Sequence, residues 1–328
     1  MPFRFSTQWI SKFGRPRGPA QCVGLDIGTF SVKGVKLHCV GGRTEVLQVE
    51  AAEIPPGGDA QSRAGALRQV SEKLGCRESP TVAAVGGPGT VFRRVCLPKM
   101  SPKELRSALS FEAEKYIPFK LEEVFFDFFI LEGGANGQMD VLLAAARKEV
   151  VNDLLKLLSA CEVTPVAVDM EVVALANAWQ GVAGARCKGV TGLLHLGSCG
   201  TILDIVRDSQ LEFGREVPIG GTAFTKAGET RPALQPVWEE WLGQCRTSFD
   251  FYENQSGQRL ERLALSSGGA RLAGFKEWVQ EASGLQTEVW DPLAGIAGAE
   301  QVAPAEAGPE VRAGFALAVG LALRGVKG

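Results

Sequence analysis

The chain has 328 residues, of which 45% are apolar and 22% charged, and its formal net charge is −2. This composition predicts a large core in about two domains and excludes a protein that attracts nucleic acid over its whole surface. The eight cysteines form no C-x-x-C pair, and with only two histidines they argue against a zinc site and a disulfide framework. Cysteines without a disulfide pattern make a reducing cytoplasm the simplest setting. No apolar run reaches the roughly 20 residues of a membrane-spanning helix.

The first 21 residues are predicted to form a basic tail. Residues 1–20 lack the apolar stretch of a secretory signal peptide. Basic side chains there alternate with apolar ones, namely Phe3, Arg4, Phe5, Trp9, Ile10, Lys12, Phe13, Arg15 and Arg17. An unstructured tail is the simpler interpretation, and a weak anchor on an anionic membrane surface through residues 1–17 is the alternative.

Residues 22–97 have the pattern of an α/β lobe. Gly41-Gly42 marks a turn between two of its strands, and apolar residues from Ala64 to Leu74 follow helical spacing. The predicted elements are strands at 23–28, 32–40 and 45–54, a helix at 61–74, and strands at 81–85 and 91–97.

Residues 98–162 are predicted to form an α+β subdomain inserted into this lobe. Ser101 is placed to cap a helix, with Pro102 at its first position and Glu104 as the capping-box partner. The helix is predicted to end near Glu114. A hairpin of strands 124–131 and 139–146 over a turn at 133–137 follows, and then a helix at 148–160.

Residues 163–188 return to the first lobe with a strand, a helix and a glycine-rich boundary, at 163–169, 171–179 and 181–189. The second lobe, residues 189–328, opens with three strands as the first lobe does. Its predicted elements are strands at 190–196, 201–207 and 211–217, a helix at 234–255, a strand at 260–265, a helix at 269–282, a strand at 287–290, a loop at 297–309 and a helix at 310–323. This repetition predicts two lobes that face a cleft.

The segment Asp26-Ile27-Gly28-Thr29-Phe30-Ser31-Val32-Lys33, here called phosphate loop 1, is a turn between two strands. Backbone amides and hydroxyls in such a turn can cradle a phosphate. Asp26 would then hold a hydrated Mg²⁺, and Lys33 would meet phosphate charge. The same residues also fit an ordinary hairpin with a capping aspartate.

Two further glycine turns follow in the second lobe. The segment His195-Leu196-Gly197-Ser198-Cys199-Gly200-Thr201, here phosphate loop 2, stands where phosphate loop 1 stands in the first lobe. The segment 265–274, here the third loop, joins a strand to a helix through Gly268 and Gly269, which lets a backbone approach a nucleotide closely. Each is an unspecific turn when taken alone.

In this order and spacing the three loops resemble the two phosphate loops and the adenosine loop of the actin/hexokinase/Hsp70 superfamily. Other segments resemble the PilM family of type IV pilus assembly proteins, over residues 22–325 as a whole. They are Leu97-Pro98-Lys99-Met100-Ser101 and the stretches 112–119, 141–150, 168–171 and 315–324. The part from 97 to 180 is the most specific, because sugar kinases and Hsp70 proteins lack the inserted subdomain.

The resemblance implies an α/β, actin-like (ribonuclease H-like) two-lobe fold with an inserted α+β subdomain. PilM-like proteins bind ATP in the cleft, which implies Mg²⁺ at Asp26 and nucleotide contacts from Asp26, Gly28, Thr29, Ser31, Lys33, Gly197, Thr201, Gly268 and Gly269. They also hold the cytoplasmic N-terminal peptide of the inner-membrane protein PilN, in a groove near Tyr116, Ile117, Pro118 and Phe119. The implied function is a cytoplasmic scaffold, peripheral at the inner membrane.

Three departures from the family predict a weakened nucleotide site. His195 stands where phosphate loop 2 of the family begins with Asp, and Ser267 replaces the first glycine of the adenosine loop. Only 12 residues separate Gly221 from the helix at Leu234, so the helical subdomain that the family carries there is predicted to be largely deleted. ATP and Mg²⁺ are therefore expected to bind weakly or not at all, with little or no turnover.

Two alternative functions fit parts of the sequence. One is an active ATPase or kinase of the superfamily, although a sugar kinase would need a catalytic Asp as general base and a sugar-binding insertion. The other is a filament former like FtsA, which normally ends in an amphipathic membrane helix rather than in a core helix. Pili, type II secretion and competence machines use related parts, so all three fit the resemblance.

Overall fold

The computed structural model describes residues 20–131, 137–182, 188–228, 230–302 and 308–326. The tail through residue 19, most of the turn at 133–137 and parts of the segments 181–189 and 297–309 lie outside these ranges. Ala20 and Gln21, expected in the tail, instead begin the first strand, where Ala20 pairs with Cys39.

The strands are β1 Ala20–Ile27, β2 Ser31–Val40, β3 Arg43–Glu53, β4 Thr81–Val85, β5 Thr90–Pro98, β6 Val124–Ile130, β7 Gln138–Arg147, β8 Pro165–Met170, β9 Val190–Leu196, β10 Thr201–Arg207, β11 Gln210–Val217, β12 Arg262–Ser267 and β13 Gln286–Val289. The helices are α1 Ala60–Leu74, α2 Pro102–Glu112, α3 Lys148–Ala160, α4 Glu171–Val182, α5 Gly221–Ala227, α6 Arg231–Ser256, α7 Phe275–Ser283, α8 Ala299–Val302, α9 Pro309–Arg312 and α10 Ala316–Gly325.

The two lobes are built on sheets of the same topology. The first sheet has the order β3-β2-β1-β4-β8 and the second has the order β11-β10-β9-β12-β13. In each, three antiparallel strands are followed by two strands that run parallel to the central one. One face of each sheet packs under helices, α1 and α3 in the first lobe and α6 and α7 in the second, and β9 and β10 are buried along nearly their whole length.

The inserted subdomain is a three-stranded sheet, β5-β7-β6, covered on one face by α2. The predicted capping box is present: the Ser101 side chain accepts a hydrogen bond from the Glu104 amide, and the Glu104 carboxylate accepts one from the Ser101 amide. The boundaries expected at 98 and 162 differ from those of this sheet, because β5 pairs with β7 from Thr90 onward. At the other end, α3 packs on the first lobe through Val151, Leu154 and Leu158.

Two helices connect the lobes. The apolar helix α10 lies at the end of the described chain and packs on β1 and on α4, while α4 also contacts β10 and β11 of the second lobe. Both helices are buried on most sides, which explains why their sequences are almost continuously apolar. No helix in the described part of the chain combines the length and apolar content needed to cross a bilayer.

Two helices predicted as continuous are broken in the structure. The helix expected at 269–282 is a 3-10 turn at Gly268–Arg271 followed by α7, because Gly274 has a φ of 73° and interrupts the α-helical backbone. The helix expected at 310–323 is divided into α9, a 3-10 turn at Ala313–Phe315 and α10.

Candidate functional site

Phosphate loop 1 leaves the end of β1 and returns in β2. Asp26 and Lys33 lie opposite each other in this strand pair, with 3.6 Å between the carboxylate Oδ2 and the ammonium Nζ. Burial raises the pKa of the Asp26 carboxyl, and the positive charge of Lys33 opposes that rise. The predicted metal-binding carboxylate is thus already paired with the predicted phosphate-binding cation.

The turn of phosphate loop 1 presents unused amide groups. The Gly28 amide donates to the Ser31 carbonyl at 3.0 Å, which closes the turn. Among the described residues, the amides of Thr29 and Phe30 have no backbone acceptor. Adjacent free N–H groups in a turn form a concave site that suits an anion.

Phosphate loop 2 also presents unused amide groups, and hydrogen bonds from the start of α5 hold it in place. The carbonyls of Gly197 and Ser198 accept hydrogen bonds from the amides of Gly221 and Thr222, each at 2.9 Å. The amides of residues 198–200 have no backbone acceptor within the described ranges. The loop carbonyls are therefore turned toward α5, and amide donors remain for a ligand.

The two phosphate loops meet across the cleft. The Thr29 hydroxyl and the Cys199 thiol, which belong to different lobes, are 3.6 Å apart. Both side chains are exposed at the mouth of the cleft. The structure thus brings together the two loops that the sequence placed in separate lobes.

His195 is a buried, neutral residue in phosphate loop 2. Its Nδ1 lies 2.9 Å from the Ser266 hydroxyl, on the neighbouring strand β12. Burial, with a smaller contribution from the charge of Lys33, lowers the pKa of the imidazole to about 3. At neutral pH this position therefore supplies neither the carboxylate of the family pattern nor a positive charge.

Thr201 contributes its side chain to packing. Its hydroxyl donates to the Ile219 carbonyl at 2.7 Å and accepts from the Trp241 indole N–H at 2.9 Å. The residue is fully buried. Any contact of Thr201 with a ligand would therefore use its backbone.

The third loop packs closely against phosphate loop 2. A Cβ atom added to Gly269 would overlap the Leu196 side chain, so glycine is needed there for the close approach. Ser267 has a φ of 68° and a ψ of −156°, a backbone region that non-glycine residues rarely occupy. Ser267 therefore has the backbone conformation expected of the glycine that it replaces. Its side chain is buried.

Three charged residues of the cleft were missed by the sequence analysis as site residues. Burial raises the pKa of Glu171 to about 8, reinforced by the negative charges of Asp26 and Glu216, while Arg63 lowers it in part. Glu216 approaches the backbone amide of Gly87 in the first lobe. The available signal was the position of Glu171 directly after the end of β8.

The donors of the cleft fit a phosphate better than they fit a metal ion. Both turns offer free amides, which suit phosphate oxygens. In the described chain, no group of three His, Cys, Asp or Glu residues is arranged to hold a metal. Mg²⁺ would therefore depend on Asp26 and on the phosphate oxygens of a ligand.

The segment predicted to bind a partner peptide is partly a core segment. Ile117 is 3% exposed and packs with Ala113, Val124 and Ala145. Tyr116 and Phe119 are half-buried and Pro118 is exposed. Surface apolar area is therefore available at three of the four predicted positions.

Phe119 and Phe111 add aromatic surface to this region. The Arg147 guanidinium lies 5.8 Å from the centre of the Phe119 ring, which joins the inserted subdomain to the start of α3. Phe111, on α2, is 83% exposed and was not predicted as a site residue. An exposed phenylalanine on the same subdomain as the half-buried Phe119 adds apolar area of the kind found on surfaces that bind apolar groups.

The sequence model of the family described as "Type IV pilus assembly protein PilM" matches residues 24–232 and 227–326. Together these stretches cover nearly all of the described chain. They overlap at residues 227–232, from the end of α5 to the start of α6, where the sequence predicts a deletion.

Two solved structures resemble this one along almost its whole length. A "PilM-PilN type IV pilus biogenesis complex" matches with a TM-score of 0.80 and 27% identity, covering 95% of this chain and 100% of that chain. The ethanolamine utilization protein EutJ from Carboxydothermus hydrogenoformans matches with a TM-score of 0.51 and 15% identity, covering 95% of this chain and 93% of that one. The second likeness reflects the fold alone, and both confirm the predicted actin-like fold.

Proposed function

Because the chain belongs to the PilM family of type IV pilus assembly proteins, we propose that it is a scaffold that binds the N-terminal peptide of a PilN-like inner-membrane protein. The observation that carries the proposal is the likeness to the PilM–PilN complex, which includes the inserted subdomain. The scaffold works in a type IV pilus or a related secretion machine, under the inner membrane.

The peptide is proposed to bind beside Tyr116, Pro118 and Phe119. Half-buried aromatic side chains offer apolar contacts to an extended peptide without exposing a large patch in the free protein. Ile117 supports this surface from the core. Co-expression with the N-terminal peptide of the PilN-like protein, fused to a carrier, should yield a complex that survives purification. Recovery of the carrier at the same level with and without the peptide would refute the interaction.

The cleft is proposed to bind Mg-nucleotide weakly and to hydrolyse it very slowly or not at all. Phosphate transfer depends on positioned charges, and His195 is neutral where the family has a carboxylate. The short connection from α5 to α6 leaves no room for a helical subdomain over the base and ribose, which further weakens binding.

Two measurements test this cleft. Mg-ATP is expected to raise the melting temperature of the protein by a few degrees, and phosphate release over hours is expected to stay at the background level. Steady phosphate release that Asp26→Ala abolishes would overturn the proposal and support an active ATPase.

The basic tail is proposed to strengthen the location at the membrane. Residues 1–17 combine aromatic and basic side chains, which favour an anionic lipid surface. The full chain should sediment with anionic vesicles and be released by high salt, whereas a chain without residues 1–17 should stay in solution. Equal sedimentation of both would show that the tail is not an anchor.

A further inference from the structure

Arg63 holds phosphate loop 1 from the neighbouring helix. It lies in the first turn of α1, which Asp59 fixes by accepting hydrogen bonds from the amide and the hydroxyl of Ser62, each at 2.9 Å. From there the Arg63 Nη2 donates to the Ile27 carbonyl at 2.9 Å, directly before the glycine of the loop. A cation in the first turn of a helix opposes the helix dipole, so helix stability does not explain this residue.

The guanidinium of Arg63 has N–H donors that no acceptor of the described chain uses. Arginine carries five N–H donors, and within the described chain the Ile27 carbonyl is the acceptor that Arg63 uses. The residue is exposed, and its positive charge is felt by Glu171 at the start of α4. Arg63 thus lies at the rim of the cleft between phosphate loop 1 and α4.

The cleft has too little positive charge to neutralise a bound nucleotide without Arg63. Lys33 is paired with Asp26, and Glu171 and Glu216 add carboxyl groups nearby. A nucleoside triphosphate brings further negative charge into the same space. Planar arginine suits this task because it binds a phosphate through two parallel N–H groups.

We propose that Arg63 is a further phosphate-binding residue of the cleft, which orders phosphate loop 1 through Ile27 and offers its remaining donors to the terminal phosphate of a nucleoside triphosphate. This inference rests on the proposed nucleotide binding. It makes Arg63 a determinant of selectivity for the triphosphate over the diphosphate, because the two ligands differ in the group that Arg63 contacts.

Calorimetric titration with Mg-ATP and Mg-ADP tests the role of Arg63. In Arg63→Ala the dissociation constant for Mg-ATP should rise about 10-fold or more, as expected for the loss of a charge-assisted hydrogen bond, while that for Mg-ADP changes much less. Arg63→Lys keeps the charge and should recover part of the affinity for Mg-ATP. Arg68→Ala is the matched control, since Arg68 lies on the same helix and donates to Ala160, away from the loop.

The outcomes separate this inference from the proposed function. If the wild type binds Mg-ATP and Arg63→Ala weakens both nucleotides equally, or neither, Arg63 is only a structural tie and the inference is wrong. If the wild type binds neither nucleotide, the proposed cleft function fails together with it. Circular dichroism establishes that each variant is folded, and Arg63→Lys replaces Arg63→Ala for the comparison if the alanine variant is not.

Discussion

The backbone of Ser267 is strained in a conformation that glycine would adopt without strain. Its φ of 68° and ψ of −156° lie in a region where a Cβ atom is strained, and such residues cost on the order of 1–3 kcal/mol. Ser267→Gly should therefore raise the free energy of unfolding by about 1 kcal/mol, after the added flexibility of the unfolded chain is subtracted. Urea denaturation measures this change. Ser267→Ala keeps the Cβ atom and should give no gain, and an equal gain in both variants would contradict the explanation.

Glu171 makes stability depend on pH. Burial raises the pKa of its carboxyl from the ordinary value of 4.5 to about 8. Between those two values the folded protein keeps the proton of Glu171 and the unfolded chain releases it, so the free energy of unfolding falls as pH rises through this interval. Glu171→Gln cannot ionise, so its advantage over the wild type in free energy of unfolding should grow by about 3 kcal/mol from pH 5 to pH 8. Denaturation at both pH values tests this, and a difference that does not vary with pH would show that Glu171 is not perturbed.

At the scale of elements, a buried carboxylate ties the inserted subdomain to the second lobe. Glu212, on β11, is 3% exposed and accepts hydrogen bonds from the Tyr252 hydroxyl at 2.6 Å and the Arg207 Nε at 2.8 Å. Arg94 of β5 lies 3.5 Å from the same carboxylate and 2.7 Å from Asp140 of β7. The Glu212 carboxylate therefore links its own strand β11 to α6, β10 and β5.

Removing that charge should destabilise the whole protein. The partners Arg207 and Arg94 are 41% and 22% exposed, so losing the carboxylate that they share should cost about 2 kcal/mol, the worth of a hydrogen bond to a charged group. Glu212→Gln should lower the free energy of unfolding by about that amount, whereas the control Tyr252→Phe removes a single hydrogen bond and should cost about 1 kcal/mol. Chemical denaturation provides both values, and similar effects of the two variants would show that the charge is not essential.

The elements themselves were largely predictable, and the exceptions have local causes. Periodicity predicted α1, α2 and α3, because each has one apolar face, and the capping box marked the start of α2. The break before α7 was missed because apolar spacing continues through Gly274, whose positive φ interrupts the helix. The division of α9 from α10 was missed because the segment Ala313–Phe315 and α10 are nearly continuous in apolar residues, where periodicity is uninformative.

The candidate site was predictable only in part. Phosphate loops 1 and 2 follow strand ends and are visible from their glycines. Glu171 directly follows the end of β8, whereas Arg63 joins the cleft from α1 through the tertiary fold and no local pattern marks it. The burial of Ile117 likewise depends on its packing against Val124 and Ala145, which the sequence alone does not show.

At the scale of the whole molecule, the contact between Thr29 and Cys199 predicts that the two lobes can be cross-linked. Their side-chain atoms are 3.6 Å apart although the residues are separated by 170 positions. Thr29→Cys should form a disulfide with Cys199 on mild oxidation and stabilise the protein by about 3 kcal/mol, because a long loop is closed. Non-reducing electrophoresis and thermal melting detect the bond. The variant with both Thr29→Cys and Cys199→Ser is the control, and absence of the disulfide in Thr29→Cys would contradict the closed arrangement of the cleft.

The central claim is that this protein is a scaffold that holds a membrane protein's N-terminal peptide at the inserted subdomain. Calorimetric titration with the peptide of the PilN-like protein tests it most directly, on the wild type, Phe119→Ala and the control Phe251→Ala, whose phenylalanine is 55% exposed on the second lobe. The wild type and Phe251→Ala should bind with micromolar dissociation constants, a binding free energy of about −8 kcal/mol. Phe119→Ala should bind about 10-fold more weakly, because it loses an aromatic contact at the interface. No heat with the wild type, or equal binding by both variants, would contradict the account.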